Sequence, residues 1–450
     1  MSTQVTIIGG GSYQWGPELM ADLFGTPALK GMHLVLEDIN PEPLPKMEAL
    51  AHKLNDALKS QATIATTTDQ RASLEGADFV LVCISTGAFR SMAVDLSVPE
   101  LFGITQTVGD TVGPGGINRA LRNIPVLVGI AKDMEEICPD AWLLNITNPM
   151  TTLTRSICRE TSIKTVGLCH EVGNFCMDLA IALRKPMEAV APSVTGINHF
   201  PVLTELLVDD QNGFDIIRDL VEEVGGLDSL TPYPGRPEAE KFSKRDFAER
   251  HVLKLTMLDR WGTFPAAGDR HIAEFVPFAL TSESEWGATY NMELSPISKR
   301  ERIAAEDVAN VDAWLAGTKE LQTWQSGELP SPILEAMLTD TPFVAPVNIP
   351  NTGQAPNLPH DVVLESMCVI DAKGIRGRDV SVLPAPFDEI VRRHTATQEL
   401  TVEAAVRGDR SLAAQAFELD PLAGRGDLRV TEAMIDALLA GTAEWLPQFA

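Results

Sequence analysis

The stretch VGLCHEVGNF sets Cys169 against His170, with Glu171 next. A thiol, an imidazole and a carboxylate in succession can act as nucleophile, metal ligand or acid–base pair. A cysteine in an apolar run is as readily a small buried hydrophobe with no chemistry. Four more stretches are dense in glycine and polar groups: TVGDTVGPGGINRALR, NITNPM, GINHF and TFPAAGDRHIAEF. The first places Asp110 in a turn and Arg119 on the helix that follows. NITNPM puts Asn145 and Asn148 where an apolar segment ends, and GINHF holds His199 between apolar residues. AAGDRH presents Asp269, Arg270 and His271 in a turn before a helix. Each has a bland reading: Asp110 as a helix cap, Asn148 before Pro149 as a turn pair, His199 as a satisfied core histidine, Asp269 and Arg270 as a solvated ion pair. Spacing alone does not bring them to one site.

The opening IIGGGSYQWG passes from an apolar run into a helix-like segment, with Gly9, Gly10, Gly11 and Gly16 available. Glycines there let the backbone approach a pyrophosphate, and the helix amino terminus supplies donors and a favourable dipole. Gln14 occupies the third glycine position of the GxGxxG pattern, so the fingerprint is incomplete. It gains from VLEDIN, where Asp38 ends a second apolar run and can take ribose hydroxyls, favouring NAD over its phosphorylated form. Gly9, Gly11, Ser12 and Asp38 are the expected cofactor contacts.

These residues need a frame. Through the first third, apolar runs alternate with amphipathic segments: VTIIGGGS, LVLEDIN, ADFVLVCIST, AWLLNITNPM and KTVGLCH read as strands. Strands alternating with helices of this length give an α/β fold with a doubly wound, Rossmann-like parallel sheet, whose ligands collect at the carboxyl edge. The pattern changes near Pro192: SVTGINHFPVLTELLV reads as an exposed or antiparallel strand. AERHVLKLTMLDRWG, SPISKRERIAAEDVANVDAWLAG and DPLAGRGDLRVTEAMIDALLAG read as helices. The expected division is a dinucleotide domain over 1–195 and a mixed α/β domain over 196–450. APNLPHDVV and GRPEAEKF are expected surface loops.

Composition narrows the class. Acidic residues outnumber basic ones 62 to 36, a net charge of −26, so a nucleic-acid partner is not expected. No run reaches membrane-spanning length, and with the first strand pattern beginning beside Met1 a targeting segment is not expected. The six cysteines lack CxxC pairs, which fits a reducing cytoplasm rather than a disulfide framework.

Taken in order, GGGS, GDTVGPGGI.RALR, N.TNPM, CHEV, GINHF, PAAGDRH.AEF and NIPNTGQAPNLP resemble the NAD- and metal-dependent family 4 glycoside hydrolases over nearly the whole chain. That resemblance implies an amino-terminal domain similar to lactate and malate dehydrogenases, NAD, and a divalent metal, usually manganese, on Cys169 and His199. Thiolate is soft and manganese prefers oxygen, so substrate hydroxyls and water are implied to complete the shell. CHEV most resembles the members acting on α-galacturonides, with α-glucuronides and neutral α-galactosides as alternatives. Members using sugar phosphates carry Asp or Asn where this chain has His170. The implied route is oxidative: hydride leaves carbon-3, a base takes the carbon-2 proton, the aglycone is eliminated, water adds at carbon-1 and the hydride returns. Within it Asp269 is the expected base, and His170 the expected acid with Asp110 as competitor. Arg119 or Arg270 is expected on the uronate carboxylate. Asn148 is expected on a sugar hydroxyl or the nicotinamide, and Glu171 beside the substrate. The resemblance further implies a homodimer or homotetramer. A hydroxy-acid dehydrogenase would accumulate NADH and need no metal. A silent NAD-binding sensor would have no reason to keep a metal pair, acid and base together.

Overall fold

The computed structural model describes residues 2–449 apart from 233, 234 and 236. The apolar runs of the first third form short strands: β1 (Gln4–Ile8), β2 (His33–Glu37), β3 (Thr63–Thr67), β4 (Phe79–Val82), β5 (Trp142–Asn145) and β6 (Lys164–Gly167). They pair in parallel in the order β3-β2-β1-β4-β5-β6. This is the doubly wound arrangement the alternation implied. Ile7, Leu81 and Leu144 bury one face, and Val80, Val82 and Leu143 the other. Strand β3 carries no apolar run and was not anticipated. Its TIATT segment is an edge strand with half-exposed threonines, held by its pairing to β2 rather than by burial.

The sheet does not stop at β6. Strand β10 (Phe343–Pro350) joins it antiparallel through Asn348 and Gly167. Then follow β11 (Val363–Asp371), β7 (Val190–Ile197), β8 (Phe200–Val208) and β9 (Gln211–Asn212), with β12 (Gly374–Gly377) on the far part of β11. One twelve-stranded sheet therefore runs through the chain. The expected boundary at 195/196 falls inside β7, where Thr195 and Gly196 pair with Ser366 and Glu365. SVTGINHFPVLTELLV is thus an antiparallel hairpin rather than one strand, because Asn198 and His199 turn the chain between Ile197 and Phe200.

The helix Gly113–Ile137 packs Leu121, Ile124 and Leu127 against one face, while helices Gly16–Gly25 and Leu44–Leu58 pack Leu19, Met20, Met47 and Leu54 against the other. AERHVLKLTMLDRWG breaks at His251 (φ −121°) into Lys244–Arg250 and Val252–Trp261. The other two expected helices occur as Ile297–Ala316 and Leu428–Gly441. APNLPHDVV is not simply a surface loop. The Asn351 side chain donates to the carbonyls of Ala355, Leu358 and Pro359, and Ala355, Leu358 and Val362 are buried. In GRPEAEKF, residue 236 lies outside the described residues, and Glu238 to Lys241 are exposed before Phe242 is buried. Among the described residues no helix is long and apolar enough to cross a membrane.

Candidate active site

The glycine turn after β1 is bolted to the end of β2. Gly9 and Gly10 donate their N–H groups to the Glu37 carbonyl at 2.9 and 2.7 Å. Gly9 has φ +91°, and a Cβ there would stand 2.4 Å from the Cys83 carbonyl oxygen, so only glycine fits. A Cβ on Gly11 would meet Asp38 Oδ2 at 2.7 Å. Asp38 accepts the Gly11 N–H at 3.0 Å on Oδ2 and the Asn40 N–H at 2.9 Å on Oδ1. Ser12 Oγ accepts the Trp15 N–H at 3.1 Å at the start of helix Gly16–Gly25. The result is a backbone-lined cradle at the carboxyl edge of the sheet, with one carboxylate at its side. This is the geometry a dinucleotide pyrophosphate and ribose require.

At the same edge, ligand atoms of Asp110, His199 and His271 all lie within 4.8 Å of one another. Asp110 arrives on the loop before helix Gly113–Ile137. His199 arrives at the β7–β8 turn, in the left-handed region with φ +65°. Non-glycine residues adopt that conformation rarely, and it turns this imidazole inward. His271 comes from helix Asp269–Phe275. The two rings stack with centroids 3.8 Å apart and 28° between planes. His199 Nδ1 shares a 2.7 Å hydrogen bond with Thr111 Oγ1, which leaves Nε2 free to coordinate. His271 Nδ1 is buried without a hydrogen-bond partner. Burial keeps both imidazoles neutral, lowering His199 and, with His199 beside it, bringing His271 to about 3. Burial works against ionised Asp110, but the facing imidazoles, Arg119 and the Thr111 hydroxyl outweigh it and hold the carboxyl at about 2. Two neutral imidazoles and a carboxylate are a donor set for a divalent transition metal, and a harder one than thiolate.

Cys169 follows β6 and is buried. Burial, reinforced by Glu365 and Glu171, pushes its thiol well up, although the Glu171 N–H and the Asn198 amide face the sulfur. It is not in the three-residue cluster, although the Asn198 side chain it meets precedes His199 in the chain. His170 Nδ1 is 2.5 Å from Glu328 Oε1, and its Nε2 is 3.7 Å from Glu171 Oε1. Burial disfavours its cation, yet Glu328 and then Glu171 raise its pKa above the ordinary value. Glu171 accepts the Gly268 N–H at 2.5 Å on Oε2. Burial opposes its charge, but His271, His199, His170 and Arg270 hold its carboxyl well below the usual range.

Asp269 is placed differently from its neighbours. Its Oδ2 accepts the Leu253 N–H at 2.7 Å and its Oδ1 pairs with Lys254 Nζ at 2.8 Å, so the carboxylate faces helix Val252–Trp261. Arg119 is buried and donates Nε–H to the Asn148 carbonyl at 2.9 Å, while its Nη1 has no hydrogen-bond partner among the described residues. Asn148 Oδ1 accepts the Met150 N–H at 3.2 Å. Arg270 is exposed at the rim. Arg300, to which the sequence drew no attention, donates from Nη2 to the Val108 carbonyl at 2.8 Å, near Asp110 and Arg270. The GDRH motif was visible, but nothing in it singled out His271. Glu328, in the segment SGELPSP, carries no sequence signal.

The cradle and the cluster sit on a chain with clear relatives. The profile of the family 4 glycosyl hydrolases matches residues 4–185, and that of the family's C-terminal domain matches residues 194–423. An α-galactosidase of Bacillus subtilis (strain 168) is 33% identical over 453 residues, covering 99% of both chains. An α-galacturonidase of Lachnoclostridium phytofermentans is 32% identical, covering 99% of this chain and 97% of its own. A 6-phospho-α-glucosidase from gut microorganisms, solved with NAD and Mn2+, shares the fold at a TM-score of 0.82 and 19% identity, covering 99% of each chain. By both profiles and by full-length similarity, the chain belongs to glycosyl hydrolase family 4.

Proposed function

We propose that this glycosidase is NAD- and divalent-metal-dependent and cleaves α-galacturonides. The observation that carries the uronate reading is Arg119: a buried guanidinium that interacts with Asp110 and whose Nη1 has no hydrogen-bond partner among the described residues. A buried donor without an acceptor is costly unless a ligand completes it, and a planar guanidinium suits a carboxylate. Arg270 at the rim and Arg300 add positive field against the chain's acidic balance. The α-galacturonidase at 32% identity supports the same class, and the α-galactosidase at 33% favours a neutral α-galactoside as second reading.

Gly9, Gly11, Ser12 and Asp38 would hold NAD. Asp110, His199 and His271 would hold the metal, with Cys169 a further ligand if the ion displaces its proton. NAD would supply a reversible hydride acceptor and the metal a Lewis acid for a carbonyl oxygen. The remaining work is done by side chains. Glu328 accepts from His170 Nδ1–H and so aims the protonated Nε2 into the site, where it donates to the departing aglycone oxygen. Glu171, ionised and facing both imidazoles, takes the carbon-2 proton; it replaces Asp269, whose oxygens are committed to Leu253 and Lys254. Geometry ranks ahead of basicity in this choice. Arg119 and Asn148 orient the sugar.

The test follows aglycone release from an aryl α-galacturonide, with NAD and Mn2+ added separately and together, while NADH absorbance is read in the same cuvette. Release that needs both additions, without growing NADH, is expected. Growing NADH would instead mark a dehydrogenase, and release from the α-galactoside alone would move the substrate class.

A further inference from the structure

We propose that Glu274 is the positioning residue that holds Asp110 in register with the two imidazoles. This rests on reading Asp110, His199 and His271 as a divalent-metal site. His271 and Glu274 lie three residues apart on helix Asp269–Phe275 and therefore point to one side of it. His271 enters the cluster; Glu274 reaches past it to the loop that delivers Asp110. One oxygen, Oε1, accepts the Val108 N–H at 2.6 Å and the Gly109 N–H at 2.8 Å, with the Thr107 hydroxyl 3.1 Å away. Asp110 is the next residue. Glu274 is 1% exposed, so these are buried contacts in a low-dielectric setting.

The loop needs such a strap. It bends at Gly109 with φ +70°, and the Thr107 hydroxyl also touches the Arg270 carbonyl. Ser295 N–H meets the Thr107 carbonyl at 3.0 Å, and Arg300 meets that of Val108 at 2.8 Å. Those two contacts hold carbonyls; Glu274 holds the amides. Two ligands of the cluster thus stand on separate segments, and one short helix supplies both the His271 ligand and the tether for Asp110. Both amides converge on a single oxygen, so the acceptor, not the charge, is what the loop uses. Glutamine offers the same oxygen at the same reach.

The experiment titrates full-length protein with Mn2+, reading free ion by electron paramagnetic resonance, alongside Tm for each variant. Glu274→Gln should bind within about threefold of the parent, whereas Glu274→Ala should weaken binding by about 10–100-fold, the usual range for lost outer contacts of metal ligands. Glu274→Asp keeps the carboxyl but withdraws the oxygen, and should behave like alanine. It also serves if the alanine variant fails to fold. Parental affinity in the alanine or aspartate variant would overturn the proposal, as would a loss in glutamine equal to that in alanine. His271→Ala separates the two ideas. If it binds Mn2+ as tightly as the parent, or the parent binds none, the metal reading falls. If His271→Ala loses binding and Glu274→Ala does not, only the positioning role falls.

Discussion

Replacing Asp269 by asparagine removes a charge that the fold has already committed to Lys254. Both side chains are buried, at 4% and 1% exposure, and their atoms meet at 2.8 Å. Asparagine can still accept the Leu253 N–H through its carbonyl oxygen, but it turns an amide toward a buried ammonium. Removing one partner of a buried pair costs about 3–5 kcal/mol. Lys254 keeps its contact to the Ala267 carbonyl at 2.5 Å, which argues for the lower end. At roughly 1 °C per kcal/mol for a chain of this length, a loss of about 3 kcal/mol lowers Tm by about 3 °C. Chemistry should survive: at a temperature where the variant is folded, exchange of the substrate's carbon-2 proton with solvent deuterium, followed by mass spectrometry with NAD and Mn2+ present, should persist. Glu171→Gln should abolish that exchange while sparing NAD binding. The reasoning is refuted if Asp269→Asn keeps the parental Tm and stops exchange, because the carboxylate would then serve the substrate rather than Lys254.

Three further outcomes are expected. In calorimetric Mn2+ titrations, His271→Ala should lose more affinity than Cys169→Ser, since a neutral imidazole coordinates without first losing a proton; the reverse order would make the thiolate the principal ligand. Glu328→Gln should move the basic limb of the kcat profile to lower pH, because Glu328 raises the pKa of His170 and the protonated imidazole is lost sooner without it; an unmoved limb would take His170 out of the donor role. Glu37, 1% exposed at the end of β2, is pushed up to about 7, first by burial and then by Asp38 and Asp69. Between its ordinary value and about 7 the native state binds a proton that the unfolded chain has released, so stability declines as pH rises through that window. Glu37→Gln should therefore gain in Tm over the parent from pH 5 to pH 8, and a constant difference would show that Glu37 does not titrate there.

What could be read from the sequence follows from how each feature is encoded. Apolar runs ending in glycine or polar turns mark strands buried on both faces, and those gave β1, β2, β4, β5 and β6 their places. Strand β3 has only threonines, and a half-exposed edge leaves no apolar period to detect. The GINHF hairpin was read as one strand, since its turn is made by Asn198 and His199 without glycine or proline. For the candidate site, the motifs named the right segments but not which side chains face inward. In GDRH, three polar residues compete, and packing settles the matter: Lys254 takes Asp269, the rim takes Arg270, and His271 alone enters. Glu328 and Arg300 come from segments distant in sequence, and only the folded chain brings them close.

The continuity of the sheet bears on the chemistry. The proposed route, which removes a hydride and later returns it, would need the nicotinamide, the metal and the sugar in fixed relation throughout. Here the glycine turn proposed to hold NAD sits at the ends of β1 and β2, and His199 at the turn of β7 and β8. Both belong to one hydrogen-bonded sheet, with β10 and β11 bridging the parallel and antiparallel parts. A hinge near 195/196 would have to break the β7–β11 pairing, so closure by rotation of two halves is not available there.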